Sequence, residues 1–395
     1  MKNGSTLVIT RIMTKQKNSI APIEIIVIGT GNIAIRHIKN IQLLKPMNKI
    51  FVLKRSNRTL DKFFKKSNIN IINDIEDLHP ANSKSLAIIC SPASLHAKDI
   101  KVLSSKGFNI FVEKPFLTQH DRISTALNYA SNNKVITSVG YNMRFTERLQ
   151  YIKKQIIRGN LNDIQNVNIE VLTDFRKWRK NKDYKDTVSF HKSLGGGVIN
   201  ELSHEVDYMI YLFGKPKSVK VSQNKNYKIA SDVELNIVAD FHYNKNFTIN
   251  LHANMLSDKN KRICSIYTKE NNFIINHLSN KIQTIGKNES VLKFGDSTNQ
   301  SYMNEIKDML HCITKNVKSL FSFEYFVPTQ VTLNAMHSSL HKNKTALAIS
   351  SGVPARGIGC RLAKTFSTLL ATKSAAASVI PAFVRSRPSY GTCSA

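Results

Sequence analysis

The stretch "IEIIVIGTGNIAIRHIKNIQLL", residues 23–44, limits what this chain can fold into more than any other. It opens as a continuous apolar run that ends in glycines, the pattern of a strand buried on both faces. It continues with apolar residues at helical spacing until Pro46 stops the pattern. The alternation then persists. "KIFVLKR" reads as a strand, Leu60 to Lys66 as a helix and "SLAIICSP" as a strand; Ala93 to Ser105 is a helix and "FNIFVEKP" a strand; Asp121 to Asn132 is a helix and "VITSVGYN" a strand. Strand and helix in strict alternation build a parallel sheet with helices on both faces.

Residues 23–143 are therefore expected to form an α/β domain, a doubly wound parallel sheet of the Rossmann kind. The first turn is "GTGNIA". Gly29 permits the tight turn, Gly31 lets backbone approach a pyrophosphate, and a small Ala34 replaces the third glycine so that helix and strand pack closely. The helix N-terminus at Asn32 and Ile33 offers unpaired N–H groups to the phosphates. Because the motif follows a strand and opens a helix, dinucleotide binding is the better reading than a purely structural glycine turn. NAD binders place an acid at the end of the second strand for the ribose hydroxyls. This chain has "VLKRSNR" there, with Arg55 and Ser56 and no acid, which suits a 2′-phosphate and favours NADP over NAD.

Bulk properties bound the remaining classes. With 395 residues and 42% hydrophobic residues the chain has room for two packed domains. Its apolar runs fall well short of the roughly 18 to 20 residues that span a bilayer, so no membrane span is expected. Residues 1–22 have a short apolar patch but no cleavable signal pattern; they are expected to be a poorly ordered leader, and Met13 is an alternative start. The five cysteines lie far apart without metal-like pairing, which suits a reducing, cytoplasmic compartment.

The net charge of +30 would ordinarily suggest nucleic acid. The basic residues are spread along the chain, however, without a basic stripe interleaved with aromatics or a nucleic-acid motif. A solvated lysine-rich surface is the simpler reading, and a polyanionic small substrate would also welcome this field. Residues 345–395 contain no Asp, Glu or Asn and are rich in Ala, Ser and Arg. That composition fits a fusion, frameshift or poorly ordered extension better than a targeting or partner-binding tail.

"VEKP" stands where ligands of a doubly wound sheet bind, outside the carboxyl end of a strand. Successive strand side chains point to opposite faces, so Glu113 and Lys114 cannot face the same solvent. Pro115 favours extended backbone at Lys114 and fixes the direction of its side chain. Farther on, "HKSLGGGVINELSHEVDYMIYLFG" places three glycines before a helical pattern. His204 and Asp207, three apart, share a helix face. A histidine suits general-base work because it titrates near operating pH.

Together "GTGNIAIRHIKN", "CSPASLHAKD", "FVEKPF", "VGYNMRF" and "GGGVINELSHEVDYMIYLFG" resemble the Gfo/Idh/MocA family of glucose-fructose oxidoreductases and inositol dehydrogenases, from about Ile23 to Asn343. The resemblance implies a second α+β domain over residues 144–344 with an open, largely antiparallel sheet, and a homo-oligomer, dimer or tetramer. It implies that Lys114 sits beside the nicotinamide, that Ser91, Pro92, His96 and Glu113 line the cofactor site, and that Arg144 and Asp207 belong to the substrate site. His204 and Lys114 are the implied catalytic pair.

One departure concerns the proton path. Many polyol-oxidising relatives have an aspartate four residues before this histidine; here that position is Asn200, and the acid Glu201 falls three before. Asn200 can hydrogen-bond a substrate but accepts no proton. Between the halves, "DFRKWRKNKDYKDTVSFHKS" resembles a branch of the family that accompanies bacterial surface-sugar biosynthesis. Trp178, Arg179 and Tyr184 could there hold a phosphorylated or carboxylated sugar by stacking and bidentate hydrogen bonds. The expected function is hydride transfer between a nicotinamide and a carbinol carbon of a sugar, sugar acid or nucleotide sugar, with no metal. A non-catalytic cofactor-sensing protein on the same fold is the alternative, against which the presence of both Lys114 and His204 counts.

Overall fold

The computed structural model describes residues 23–44, 49–55, 60–66, 69–161, 163–179, 183–243 and 247–348. The expectations for the leader, for Pro46, for Ser56 and for residues 349–395 of the tail lie outside them. The first domain runs β1 (Ile25–Ile28), α1 (Asn32–Leu44), β2 (Ile50–Leu53), α2 (Lys62–Lys66), β3 (Asn70–Ile72), β4 (Leu86–Ile89), α3 (His96–Ser105), β5 (Asn109–Glu113), α4 (Ile123–Asn132) and β6 (Thr137–Gly140). Its strands are all parallel in the order β3-β2-β1-β4-β5-β6, the doubly wound arrangement expected. The short, largely exposed β3 is the one strand of this sheet that the sequence pattern does not announce.

Period-two alternation splits the apolar strand residues between two layers. Ile26, Ile28, Ala87, Ile89, Ile110 and Val112 face one core, and Ile25, Val27, Leu86, Ile88 and Phe111 the other. Each fully buried side chain of this size contributes about 1.5 to 3 kcal/mol. The helices that close the two layers are not all local.

The second part continues with α5 (Glu147–Ile157), β7 (Ile164–Asp174), α6 (Val198–Glu201), α7 (Ser203–Phe213), β8 (Ser218–Gln223), β9 (Asn236–His242), β10 (Thr248–Asn254), β11 (Leu256–Thr268), β12 (Asn271–Asn276), β13 (Lys281–Gly286), β14 (Ser290–Lys293), α8 (Thr298–Lys315), α9 (Phe323–Lys342) and β15 (Ala346–Leu347). Its sheet has the order β14-β13-β12-β11-β7-β10-β9-β8-β15 and is antiparallel except where β10 runs beside β7. Helices α8 and α9 return to the first sheet. Ile306, Met309 and Leu310 of α8 join the core on the α1 side, and Phe323 and Phe326 of α9 join the opposite one. The first residues of the compositionally distinct tail, Ala346 and Leu347, pair with β8 at the sheet edge.

Helix α7 is buried from Ser203 to Leu212, so it is a central rod rather than an amphipathic cover. It is anchored by an internal ion pair. Arg144 donates from Nε and Nη2 to the two Asp207 oxygens, both at 2.6 Å, and Thr329 Oγ1 donates to Asp207 at 3.0 Å. The guanidinium carbon also lies 4.5 Å from the Phe326 ring centroid and 4.6 Å from that of Tyr325. Arg144 and Asp207 are 0% and 1% exposed and bonded to each other, so the structure buries them inside the protein rather than on the open substrate side where they were expected. Among the described residues no helix is long and apolar enough to cross a membrane. Cys90, Cys264 and Cys312 are free thiols.

Removing one partner of such a pair leaves a buried charge alone. Asp207→Ala should lower stability by about 3 to 5 kcal/mol, read from urea unfolding, whereas replacing both residues by apolar ones of similar size should recover most of the loss.

Candidate active site

The cofactor end of the first sheet is built by three loops. Gly29 has φ +114°, and a Cβ there would stand 3.0 Å from the Cys90 carbonyl oxygen, so only glycine fits this turn. A Cβ on Gly31 would meet nothing within 4 Å, so the second glycine opens onto free space beside the start of α1. Asn32 and Ile33 follow in the first turn of α1, where N–H groups have no helical partner, and Ala34 is fully buried against the sheet. This arrangement fits a dinucleotide pyrophosphate.

Arg55, at the end of β2, is already engaged. Its Nη1 and Nη2 donate to the Asp99 carboxylate at 2.8 and 2.5 Å, and Ser91 Oγ donates to the same carboxylate at 2.7 Å. The side chain remains 30% exposed and keeps unused donors, so it stands beside the cofactor end as a fixed rather than a swinging charge. Pro92 caps the 3-10 turn that leads into α3. His96 does not reach the cofactor space. It is 1% exposed, with Nε2 3.0 Å from Ser91 O and Nδ1 3.0 Å from Pro115 O, and thus ties the loop after β4 to the loop after β5. Glu113 also turns inward, with Oε1 2.6 Å from His37 Nε2.

Lys114 turns the other way, as strand alternation requires, and precedes a cis peptide bond to Pro115. Its partner comes from a break in the following domain. Leu202 leaves helical geometry at φ −102°, ψ 28°, separating α6 from α7. The Glu205 N–H, which in a continuous helix would bond Glu201 O, bonds Leu202 O instead at 3.2 Å. The Glu201 carbonyl is thereby freed. Lys114 Nζ donates to it at 2.8 Å and lies 3.4 Å from Glu201 Oε2. The other carboxylate oxygen accepts from Ser189 Oγ at 2.6 Å, and Arg179 Nη1 donates to that hydroxyl at 3.3 Å. A continuous chain Arg179–Ser189–Glu201–Lys114 results.

His204 begins α7 a few residues after this contact. Its ring meets Tyr141 edge-on at 5.7 Å between centroids, and its Nδ1 has no hydrogen-bond partner. Burial, and then the positive charges of Lys114 and Arg262, hold the imidazole well below its usual pKa of 6.5. His204 is therefore neutral at neutral pH and can accept a proton. Asp207 is committed to Arg144 and does not orient it.

The three glycines before α6 are each required. Gly195 and Gly197 have φ +83° and +103°; a Cβ on Gly195 would lie 2.8 Å from Ala93 Cβ and one on Gly197 2.6 Å from Glu234 Oε1, while one on Gly196 would collide with the Val188 carbonyl. Asn200 secures this loop, its Nδ2 donating to Gly195 O at 3.2 Å, while its Oδ1 lies 3.2 Å from His337 Nε2. An aspartate there would face carbonyl oxygens, which explains the amide. Asn200 lines a cavity of about 1280 Å³ together with Gly195, Gly196 and His337, and the acid next to it, Glu201, is the one that meets Lys114. Trp178 Nε1 donates to Thr173 Oγ1 at 2.9 Å, and the Tyr184 ring packs on Phe175 and Phe190. Both are half-buried on the loop that carries Arg179 and Ser189. Ser189 and Glu201 are site members that sequence spacing did not select; the helix break at Leu202 has no period to betray it.

The chain belongs to the Gfo/Idh/MocA oxidoreductase family. Residues 23–141 match its NAD-binding Rossmann domain and residues 149–275 its C-terminal domain. It is 24% identical over 219 residues to a glucose-6-phosphate 3-dehydrogenase of Bacillus subtilis strain 168, covering 54% of this chain and 61% of that protein. It is 25% identical over 155 residues to a scyllo-inositol 2-dehydrogenase (NADP(+)) of the same organism, covering 38% of this chain and 40% of that one. The matches thus span between two-fifths and about three-fifths of those relatives. In fold it is similar to a levoglucosan dehydrogenase in complex with NADH and levoglucosan, with a TM-score of 0.71 at 15% identity over 83% of this chain and 99% of that one.

The depressed pKa of His204 has a measurable cause. By NMR titration its ring should remain neutral as pH falls through 6.5, and Lys114→Met should raise its pKa by removing the nearest positive charge. An unchanged value would mean that Lys114 has no part in it, leaving burial and Arg262.

Proposed function

We propose that this protein oxidises or reduces a carbinol carbon of a sugar-type substrate at the Lys114–His204 site, using a nicotinamide cofactor and preferring NADP. The observation that carries the reading is a buried histidine, held neutral partly by the charge of Lys114, with that lysine held on a freed carbonyl at the carboxyl end of a doubly wound sheet. The relatives support the class, since one acts on glucose 6-phosphate and another on an inositol.

In the oxidative direction the substrate hydroxyl gives its proton to His204. Lys114 holds the same oxygen and stabilises its developing negative charge. The electron pair of the C–H bond leaves with the hydrogen as a C=O bond forms; a nicotinamide, when bound, would supply the acceptor for that hydride. Glu201 keeps Lys114 aimed, and Ser189 connects it to Arg179. That guanidinium is the group suited to a phosphate or carboxylate on the sugar, beside the ring of Trp178.

NADP preference rests on Arg55. Asp99 of α3 fixes the guanidinium at the end of β2; that strand end carries no acid of its own for ribose hydroxyls, and the Asp99 carboxylate is taken up by Arg55 and Ser91.

A fluorescence titration should give saturable NADPH binding tighter than NADH, and Arg55→Ala should weaken NADPH at least several-fold while leaving NADH nearly unchanged. Equal loss for both cofactors would overturn the specificity assignment alone. With a phosphorylated or carboxylated sugar as substrate, His204→Ala or Lys114→Ala should lower kcat by about 10²- to 10⁴-fold. Glu201→Gln should cost less, chiefly by misplacing Lys114. Full turnover in either of the first two variants would sink the mechanism.

A further inference from the structure

Three buried groups lie on the inner side of β5, away from the Lys114 contact. His37 of α1, Glu113 of β5 and Glu305 of α8 each offer one ligand atom, and these atoms all lie within 4.8 Å of one another. The residues are 0%, 7% and 1% exposed. His37 Nε2 and Glu113 Oε1 are 2.6 Å apart, but neither oxygen of Glu305 has a hydrogen-bond partner, nor does His37 Nδ1.

Two carboxylates cannot share a dry site without compensation. Arg36, the cation that acts on Glu305, is exposed, and its guanidinium stacks over the ring of Tyr302 at 4.5 Å. A proton on one carboxyl would be one way to relieve the pair. A neutral acid, however, still has an O–H and a C=O to satisfy, and Glu305 has a partner for neither.

We propose that His37, Glu113 and Glu305 bind one divalent transition-metal ion of the Zn²⁺ or Mn²⁺ class. An imidazole nitrogen with two carboxylates is a donor set such ions accept. The ion replaces the His37–Glu113 hydrogen bond, balances both carboxylates and gives Glu305 its missing partner. Its role is structural. It fastens α8, which belongs to the C-terminal part of the chain, to β5 and α1 of the first domain, and no step of hydride transfer passes through it. The ligands come from three distant segments, so no spacing in the sequence announces them.

The test uses the full chain, stripped with EDTA and dialysed, with ZnCl₂ or MnCl₂ as probe. Metal analysis should find about one equivalent retained, and the melting temperature should rise with metal concentration as expected for a ligand of the folded state. Glu305→Gln should lose both the equivalent and the rise; if it does not fold by circular dichroism, His37→Gln serves in its place. The proposal is overturned if neither ion raises the melting temperature. It is overturned equally if the variant binds metal as the parent does, which would place the ion on surface histidines or on cysteines. A protonated-carboxyl infrared band in the metal-treated parent that vanishes in Glu305→Gln would overturn it as well, assigning the site a proton instead.

Discussion

The contact between Lys114 and the freed carbonyl of Glu201 joins two parts of the chain 87 residues apart, and the arrangement of the site depends on it. A lysine at the end of a buried strand needs an acceptor. The kink at Leu202 supplies one that a straight helix would have consumed internally. The same kink starts α7 afresh, which places His204 in its first turn, and turns the Glu201 carboxylate toward Ser189 and Arg179. One irregular residue therefore sets the positions of Lys114, Glu201 and His204.

The two domains are not independent lobes. α8 and α9 leave the second domain to complete both hydrophobic layers of the first, and the Arg144–Asp207–Thr329 group ties the turn that follows β6 to α7 and α9. A buried ion pair of this kind is weak evidence for stability as such, but it punishes any packing that separates its partners. It holds α7, and with it His204, in one register.

Much of the first domain was legible in the sequence because its signals are local. Apolar runs, helical spacing and the glycine turn specify β1, α1 and their successors without reference to distant residues. The short β3, Asn70 to Ile72, carries too little apolar pattern to be announced. The site was legible only in part. Lys114, His204 and Arg179 follow from motif and chemistry, whereas Arg144 and Asp207 pair across 63 residues and so leave the substrate side. Glu201 and Ser189 enter it because of a backbone kink. Asn200 was singled out as a departure from an acid, and its reason emerges only from the two glycine carbonyls it must donate to. Long-range electrostatic pairing and helix breaks have no period, and that is why residue order alone does not reveal them.

A crystal structure of the protein with NADPH bound addresses the central claim most directly. The account predicts the pyrophosphate against Gly31 and the first turn of α1, and the nicotinamide ring between Lys114 and His204 with C4 turned toward the space they share. A nicotinamide lying elsewhere, with Lys114 Nζ closed off on Glu201 and His204 out of reach of C4, would contradict it.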